Sequence, residues 1–371
     1  MINEISGEMR MTKEIYGYIY DLPMGCITES DIYTSTGALL CPKMTIMDKG
    51  MIESLSHYRG KIHAVVSFEG FDEEEYEEDV DDEFLPEEDA SLVFEEAFKQ
   101  FVAESLHTLY SNLEDTDSLI SGVSEIGHKV CEIIDEAKEL SINLSKLKVC
   151  DEYTYKHSVD VGTMAAIVAK TLGESKEFIR DIAVAGLLHD IGKERIPTEI
   201  INKPAKLTSE EFMTMKKHPV HGYHILMDSK NITEEMRKGI LNHHENIDGS
   251  GYPRGLKGDE IGKMAQIISI VDVYDALVTE RSYKAAKTPA QAIEIMFTMS
   301  NKFNMEYFKA FLSVVNVYPN GSTVNLSTGD KAIVLSQNRA YPLRPIVKTL
   351  LEKKIIDLAT NHSYLATVIT A

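Results

Sequence analysis

A histidine and an aspartate, His189 and Asp190, directly follow the apolar run IAVAGLL. The run is typical of a buried helix, which would carry at least one of these two polar groups into the protein interior. A buried polar group is costly unless it is hydrogen-bonded or bound to a metal. A lone histidine would more often be an ordinary core or surface residue, but a second pair, His243-His244, follows GILN. The two pairs together predict a metal site within a helical domain.

The histidines of this chain are concentrated in one region. Seven of the 12 lie between His157 and His244, and the acids Asp190 and Asp272 belong to the same helical stretch. Imidazole nitrogens suit Fe, Mn, Ni or Zn, and a carboxylate can bridge two ions. Two metals about 3.5 to 4 Å apart acidify a shared water and stabilise the charge that develops on a phosphoryl group. The pattern therefore predicts a binuclear site and phosphoester hydrolysis.

Apolar periodicity divides the 371 residues into segments and predicts a mainly α protein. Residues 1–71 alternate short apolar runs with turn formers, which indicates a small α+β module with a sensory or regulatory role. Residues 90–148 predict two long connecting helices, and 149–317 predict an all-helical domain that contains the histidines. Residues 318–371 return to short β-like runs, which predicts a small β-containing carboxy-terminal tail.

The net charge of −21 and its distribution along the chain limit the partners that this protein can bind. Residues 72–89 contain 13 acidic residues and no basic one, which predicts a solvated linker or, as the alternative, a partner-binding acidic segment. Such a charge argues against binding to a nucleic-acid polymer. No uninterrupted apolar stretch is long enough to span a membrane, and the four scattered cysteines and the first residues favour reduced thiols in the cytoplasm.

An ordered series of motifs links these features to a known family. YTYKHS, LLHDIGK, KKHPVHG, NHHE, GYP, VDVYDAL and RSYK follow one another over roughly residues 150–300. A single His-Asp dipeptide is a weak signal, whereas seven motifs in order are strong. The chain resembles the HD-GYP subfamily of HD-domain phosphohydrolases. The resemblance implies a helical HD core, a metal centre, and hydrolysis of cyclic di-GMP to pGpG and, in some members, onward to GMP.

The resemblance also implies a ligand for each position of a binuclear site. One metal would be bound by His157, His189 and Asp272, and the other by His218, His243 and His244, with Asp190 bridging the two and acting in catalysis. Fe or Mn is favoured, and Ni, Zn and Mg are the alternatives. Some members bind a third metal through a glutamate four residues before the first histidine. Tyr153 occupies that position here and Glu152 is one residue out of register, so two metals are expected.

Further residues are implied to contact the substrate. Lys193 would direct its ammonium group at the phosphate and assist catalysis, while Tyr252, Arg281 and Lys284 would contact the dinucleotide. The glycine-rich loop at residues 248–258 would shape the substrate rim and meet a cyclase-type partner. His221 and His224 are expected to take no part, apart from an alternative outer role.

Three functions stay open at this point. The first is an active cyclic di-GMP phosphodiesterase, the second is a non-catalytic cyclic di-GMP receptor, and the third is a hydrolase of another cyclic dinucleotide such as cyclic GMP-AMP. Receptors usually lose metal ligands and none is missing here, which favours an enzyme. Gln266 stands where many relatives carry arginine, which leaves the choice between dinucleotides open. Oligomeric state is open as well, with a homodimer among the alternatives.

Overall fold

The computed structural model describes residues 10–17, 19, 22, 25–34, 39–55, 62–69, 96–110, 115–137, 140, 142, 153–279 and 286–370. The described chain forms two compact units. One unit comprises the described parts of residues 1–89, 319–337 and 344–371, and the other comprises the described parts of residues 90–318 and 338–343. The predicted acidic linker, residues 72–89, lies outside the described residues.

The first unit contains the strands. The elements of its amino-terminal part are β1 (Arg10–Gly17), β2 (Ile27–Thr28), β3 (Ile32–Tyr33), β4 (Leu39–Cys41), α1 (Lys49–Leu55) and β5 (Ile62–Glu69). Strand β5 pairs antiparallel with β1 and β2, β3 pairs with β4, and the short helix α1 follows β4. Alternate residues of β5, Ile62, Ala64 and Val66, are buried, as expected for a strand with one face on a core.

The carboxy-terminal part of the same unit is an antiparallel sheet of five strands, β6 (Thr323–Leu326), β7 (Lys331–Ser336), β8 (Ile346–Thr349), β9 (Ile355–Asp357) and β10 (Ile369–Thr370). The strand order is β10-β6-β7-β8-β9. Ala332, Ile333, Val334 and Leu335 of the central strand β7 are all buried. The prediction of a mainly α chain with small β elements near both ends is confirmed.

The second unit is helical and built on one apolar core. Its helices are α2 (Glu96–Tyr110), α3 (Thr116–Glu136), α4 (Tyr153–Thr171), α5 (Lys176–Leu188), α6 (Thr198–Ile201), α7 (Ser209–Met215), α8 (His218–Ile225), α9 (Glu234–Asn242), α10 (Lys263–Val278), α11 (Pro289–Thr298) and α12 (Met305–Val314). None of the described helices is long and apolar enough to cross a membrane.

Helices α4, α5 and α10 form the centre of this unit and are buried on nearly all sides. The run Ile179 to Leu188 of α5 and the run Met264 to Asp272 of α10 consist almost wholly of buried residues. Side-chain caps define where the helices start: Ser175 accepts from the Phe178 backbone N–H, and Thr208 forms a reciprocal capping box with Glu211. Because the starts are defined and the cores are packed, the ends of these helices present side chains at defined positions.

Candidate metal centre

Seven histidine and aspartate residues, carried by five helical segments, converge inside the second unit. His157 lies on α4, His189 and Asp190 follow α5, His218 begins α8, His243 and His244 follow α9, and Asp272 lies on α10. Six of the seven are buried, and His244 is 26% exposed. The structure therefore brings together all seven residues that the resemblance assigns to metal binding.

The first group within the cluster comprises His157, His189 and Asp272. Asp272 Oδ1 lies 3.1 Å from His157 Nε2 and 4.0 Å from His189 Nε2. The ligand-type atoms of the three residues all lie within 4.8 Å of one another. This spacing allows one cation to contact all three.

The second group comprises His218, His243 and His244. The Nε2 atoms of His218 and His243 are 3.3 Å apart, and the ring centroids of His243 and His244 are 4.1 Å apart. These ligand-type atoms also lie within 4.8 Å of one another. His244, as the most exposed member, marks the side on which the cluster opens.

Asp190 lies between the two groups. Its Oδ2 atom is 3.4 Å from His189 Nε2 and 3.7 Å from His157 Nε2, while its Oδ1 atom is 3.3 Å from His218 Nε2. Each oxygen of the carboxylate therefore faces a different group. Two cations bound in the two groups could share this carboxylate.

Hydrogen bonds behind the rings fix which nitrogen faces the cluster. The Nδ1 atom of each of three histidines lies 2.7 to 2.8 Å from a backbone carbonyl three residues earlier, in the pairs His189–Gly186, His218–Met215 and His243–Ile240. A carbonyl only accepts, so Nδ1 carries the proton and donates. The Nε2 lone pairs are therefore directed at the centre of the cluster, as metal binding requires.

The environment keeps three of the histidines neutral. Burial lowers the pKa of His218 to about 3 and that of His244 to about 4, although nearby aspartates act in the opposite direction, and burial also lowers the pKa of His243 well below its usual value. Burial acts in the same direction on His157, but hydrogen bonds to Asp272 and Asp275 outweigh it and raise the pKa to about 10. The second group therefore offers neutral imidazoles at pH 7, whereas His157 must lose a proton first.

The donor atoms of the cluster fit a bound metal. His189 Nε2 and Asp190 Oδ1 are buried and make no hydrogen bond within the described part of the chain. Such groups are destabilising unless a partner satisfies them, and cations bound to the two groups would do so. Imidazole with carboxylate is a donor set that suits divalent first-row metals. The histidine and aspartate groups can hold metal ions.

A close backbone approach sets the position of His218 relative to Asp190. Gly192 lies in a short 3-10 helix, Ile191–Arg195, immediately after Asp190. A Cβ atom at Gly192 would lie 1.9 Å from the His218 carbonyl oxygen and 2.5 Å from the Gly222 amide nitrogen. Only glycine permits these two backbone segments to pack so closely.

Two of the four predicted substrate residues, Lys193 and Tyr252, lie at the cluster. The Lys193 ammonium contacts Asp190 Oδ2, and Tyr252 stacks on His244 with a centroid distance of 4.7 Å and an interplanar angle of 30°. Arg281 and Lys284 lie outside the described residues. His221 and His224 belong to none of the metal-type groups among the described residues. Glu152 also lies outside the described residues.

Two supporting carboxylates were missed by the sequence analysis. Asp275 Oδ2 lies 2.6 Å from His157 Nδ1, on the side of the ring that faces away from the cluster. The buried Glu245 accepts backbone N–H groups from Arg254, Gly255 and Leu256 at 2.7 to 3.1 Å and so organises the glycine-rich loop. Asp275, three residues after Asp272 on the same helix, had a signal in its spacing. Glu245 had none, because its partners are backbone groups.

Comparisons with known proteins agree with this geometry. The family model described as HD domain matches residues 129–306. A cyclic di-GMP phosphodiesterase of Pseudomonas aeruginosa is 40% identical over 207 residues, which cover 56% of this chain and 50% of the relative. A cyclic di-GMP phosphodiesterase of Thermotoga maritima is 40% identical over 177 residues, which cover 46% and 48%. A 3'3'-cGAMP-specific phosphodiesterase of Vibrio cholerae is 35% identical over 162 residues, which cover 42% and 37%.

The chain spans about half the length of the first two relatives and less of the third. The family match at residues 129–306 lies within the helical unit that contains the histidine and aspartate cluster. Residues 129–306 therefore match the HD domain family, and the ordered series of motifs in this region resembles the HD-GYP subfamily of HD-domain phosphohydrolases.

Proposed function

We propose that this chain is a metal-dependent phosphodiesterase that hydrolyses cyclic di-GMP to the linear dinucleotide pGpG. The observation that carries the proposal is the position of Asp190, whose two oxygens face two separate groups of histidines. Relatives at 40% identity named cyclic di-GMP phosphodiesterases support the choice of substrate. Such an arrangement is unusual for a purely structural site, because it concentrates buried polar groups at one point.

We assign one metal to His157, His189 and Asp272, the other to His218, His243 and His244, and the bridge to Asp190. Fe or Mn is favoured from the mixture of imidazole and carboxylate donors, with Ni, Zn and Mg as alternatives. Two such metals supply a water of lowered pKa and a positive field for the phosphoryl group.

Other groups of the protein orient the histidine rings and contact the substrate. Nδ1 hydrogen bonds to backbone carbonyls orient three of the rings, and Asp275 orients His157. Lys193, which contacts Asp190 with a side chain 27% exposed, is close enough to the cluster to donate to a phosphate oxygen. Tyr252 forms a wall beside His244. Arg281 and Lys284 are assigned to substrate contact from the resemblance alone.

The glycine-rich loop is the proposed contact for a cyclase-type partner. Glu245 ties the loop to the end of α9 through three backbone N–H groups, so the loop keeps a defined shape at the rim. A defined loop can present the same surface to a partner whether or not substrate is bound.

A second candidate substrate is cyclic GMP-AMP, because the Vibrio cholerae relative at 35% identity is named for it. Gln266 bears on this choice because it stands where many members of the family carry arginine. Its side chain is buried and its Nε2 donates to the Gly258 carbonyl at 3.0 Å, so it supports the glycine-rich loop.

One experiment tests both candidates. The full chain is purified without oxygen, its metals are measured by elemental analysis, and cyclic di-GMP or 3',3'-cyclic GMP-AMP is incubated with it and resolved by chromatography. We expect two metals per chain and conversion of cyclic di-GMP to pGpG, with no conversion by Asp190→Ala. Tight binding of cyclic di-GMP by the metal-loaded chain without hydrolysis would identify a receptor and contradict the proposal.

A further inference from the structure

A lysine that the sequence analysis did not single out lies beside the cluster. Lys216 caps the carboxy-terminal end of α7, and its Nζ atom is 4.8 Å from the ring centroid of Phe212 and 5.1 Å from that of Tyr252. Aromatic faces attract a cation at these distances. Two rings, one from the same helix and one from the glycine-rich loop, therefore hold the ammonium group in place.

This position is one aromatic ring away from the cluster. Tyr252 contacts Lys216 and also stacks on His244, which is the most exposed of the seven cluster residues. Lys216 is also only two residues before His218. The ammonium therefore lies at the open side of the cluster but not against its carboxylates.

Lys216 differs in its partners from three other lysines of the helical unit. Lys193 contacts Asp190, Lys203 pairs with Glu211 at 2.6 Å, and Lys99 pairs with Asp160 at 2.7 Å. Within the part of the chain that the structure describes, Lys216 has no carboxylate within ion-pair distance. In a protein with a net charge of −21, a lysine near the cluster without an acidic partner is available for an anion from outside.

We propose that Lys216, held by Phe212 and Tyr252, binds the phosphate of the cyclic dinucleotide that is not being cleaved. The inference rests on the proposed function, because a cyclic dinucleotide carries two phosphodiester groups and only one can occupy the metal centre. The phosphodiester group outside the metal centre keeps its negative charge and needs a cation beyond the cluster. A lysine ammonium is a compact charge that suits a phosphate oxygen. Lys216 is thus a determinant of specificity for cyclic dinucleotides over simple phosphodiesters.

The test compares two substrates on the full metal-loaded chain. Cyclic di-GMP has two phosphodiester groups, whereas bis(p-nitrophenyl) phosphate has only the one that is cleaved. We expect Lys216→Ala to raise KM for cyclic di-GMP by about tenfold to a hundredfold, with kcat and metal content unchanged. Hydrolysis of bis(p-nitrophenyl) phosphate should match the parent. Phe212→Leu should raise KM for cyclic di-GMP by about two- to fivefold, because one of the two rings that hold the ammonium is lost.

Lys217→Ala is the matched control, since it removes the same charge from the adjacent, exposed residue. It should leave both substrates unaffected, and an equal effect of the two lysine variants would show that only the general field matters and would overturn the assignment. Equal losses on both substrates in Lys216→Ala, or no loss on either, would also overturn it. A parent chain that hydrolyses bis(p-nitrophenyl) phosphate but no cyclic dinucleotide would instead refute the proposed function, and this inference with it.

Discussion

Asp275 Oδ2 lies 2.6 Å from His157 Nδ1, on the opposite side of the imidazole ring from Nε2, which is 3.1 Å from Asp272. The carboxylate therefore fixes the ring orientation and raises the basicity of the nitrogen that faces the cluster. Asp275 is almost fully buried, so water cannot replace it easily. The pair extends the metal centre by one residue beyond the seven that converge on it.

The first prediction concerns this pair. Asp275→Asn keeps the shape of the side chain but removes its charge, so metal affinity should fall by about tenfold to a hundredfold. Competition with a chelator measures the affinity, and Asp228→Asn, which removes an exposed carboxylate, is the control. An unchanged affinity in Asp275→Asn would show that the carboxylate does not support the site.

Asp190→Ala should abolish both stable metal binding and turnover. The variant loses both oxygens that face the two histidine groups, while the apolar core of the helical unit is untouched. Elemental analysis and circular dichroism together check this outcome, because the helical spectrum should persist. Retention of two metals per chain with near-normal hydrolysis would refute the bridging role.

Metal binding at pH 7.5 should release about one proton per chain from the His157 imidazole. His157 has a pKa raised to about 10 by Asp272 and Asp275 despite its burial, whereas His218 and His244 are already neutral because their pKa values lie at about 3 and 4. Calorimetric titration in buffers of different ionisation enthalpy counts the protons. Asp275→Asn should release fewer, and identical counts for parent and variant would contradict the assignment.

The metal-free protein should lose stability on both sides of neutral pH. His218 and His244 have folded pKa values below the unfolded value of 6.5, so the unfolded chain takes up protons first and stability falls as the pH drops below about 6.5. His157 has the opposite sign, and its contribution is lost as the pH rises through about 10. Thermal unfolding with a chelator present measures this, and His218→Asn should flatten the acid side. An acid side of the same steepness in that variant would be inconsistent with the explanation.

Lys99→Met should destabilise the fold by about 3 to 5 kcal/mol, because it leaves Asp160 as a buried charge without its partner. The Nζ to Oδ1 distance of this pair is 2.7 Å, and the side chains are 14% and 7% exposed. Lys176→Met is the matched control, since Lys176 pairs with Asp135 but is 83% exposed, so solvent screens the pair and the substitution should have little effect. Urea denaturation provides both values. Equal effects of the two substitutions would contradict the importance of burial here.

The sequence predicted the helical character of the central region and the residues of the cluster. Apolar runs such as IAVAGLL carry their own signal for a buried helix, and paired residues such as His243-His244 are conspicuous at its end. The convergence of five helical segments on Asp190 followed only from the resemblance, because periodicity within one helix contains no information about its neighbours.

Several contacts that the tertiary structure creates were not predictable in the same way. Lys99 and Asp160 are 61 positions apart, and each alone reads as an ordinary surface charge on a helix. Glu245 acts on backbone N–H groups, which every sequence provides. Lys216 is one of two adjacent lysines, and only the tertiary structure distinguishes the one between two rings from the one in solvent. These roles arise from folding and not from local pattern.

The space that Gly192 leaves for the His218 carbonyl affects how mutational data on this protein would be interpreted. Gly192 has no functional group, yet a single added methyl would push apart the two segments that carry Asp190 and His218. A saturation library scored only by activity would therefore rank Gly192 with the histidines. Reading such a map as a map of chemistry would assign a reaction step to a residue that contributes only the absence of a side chain.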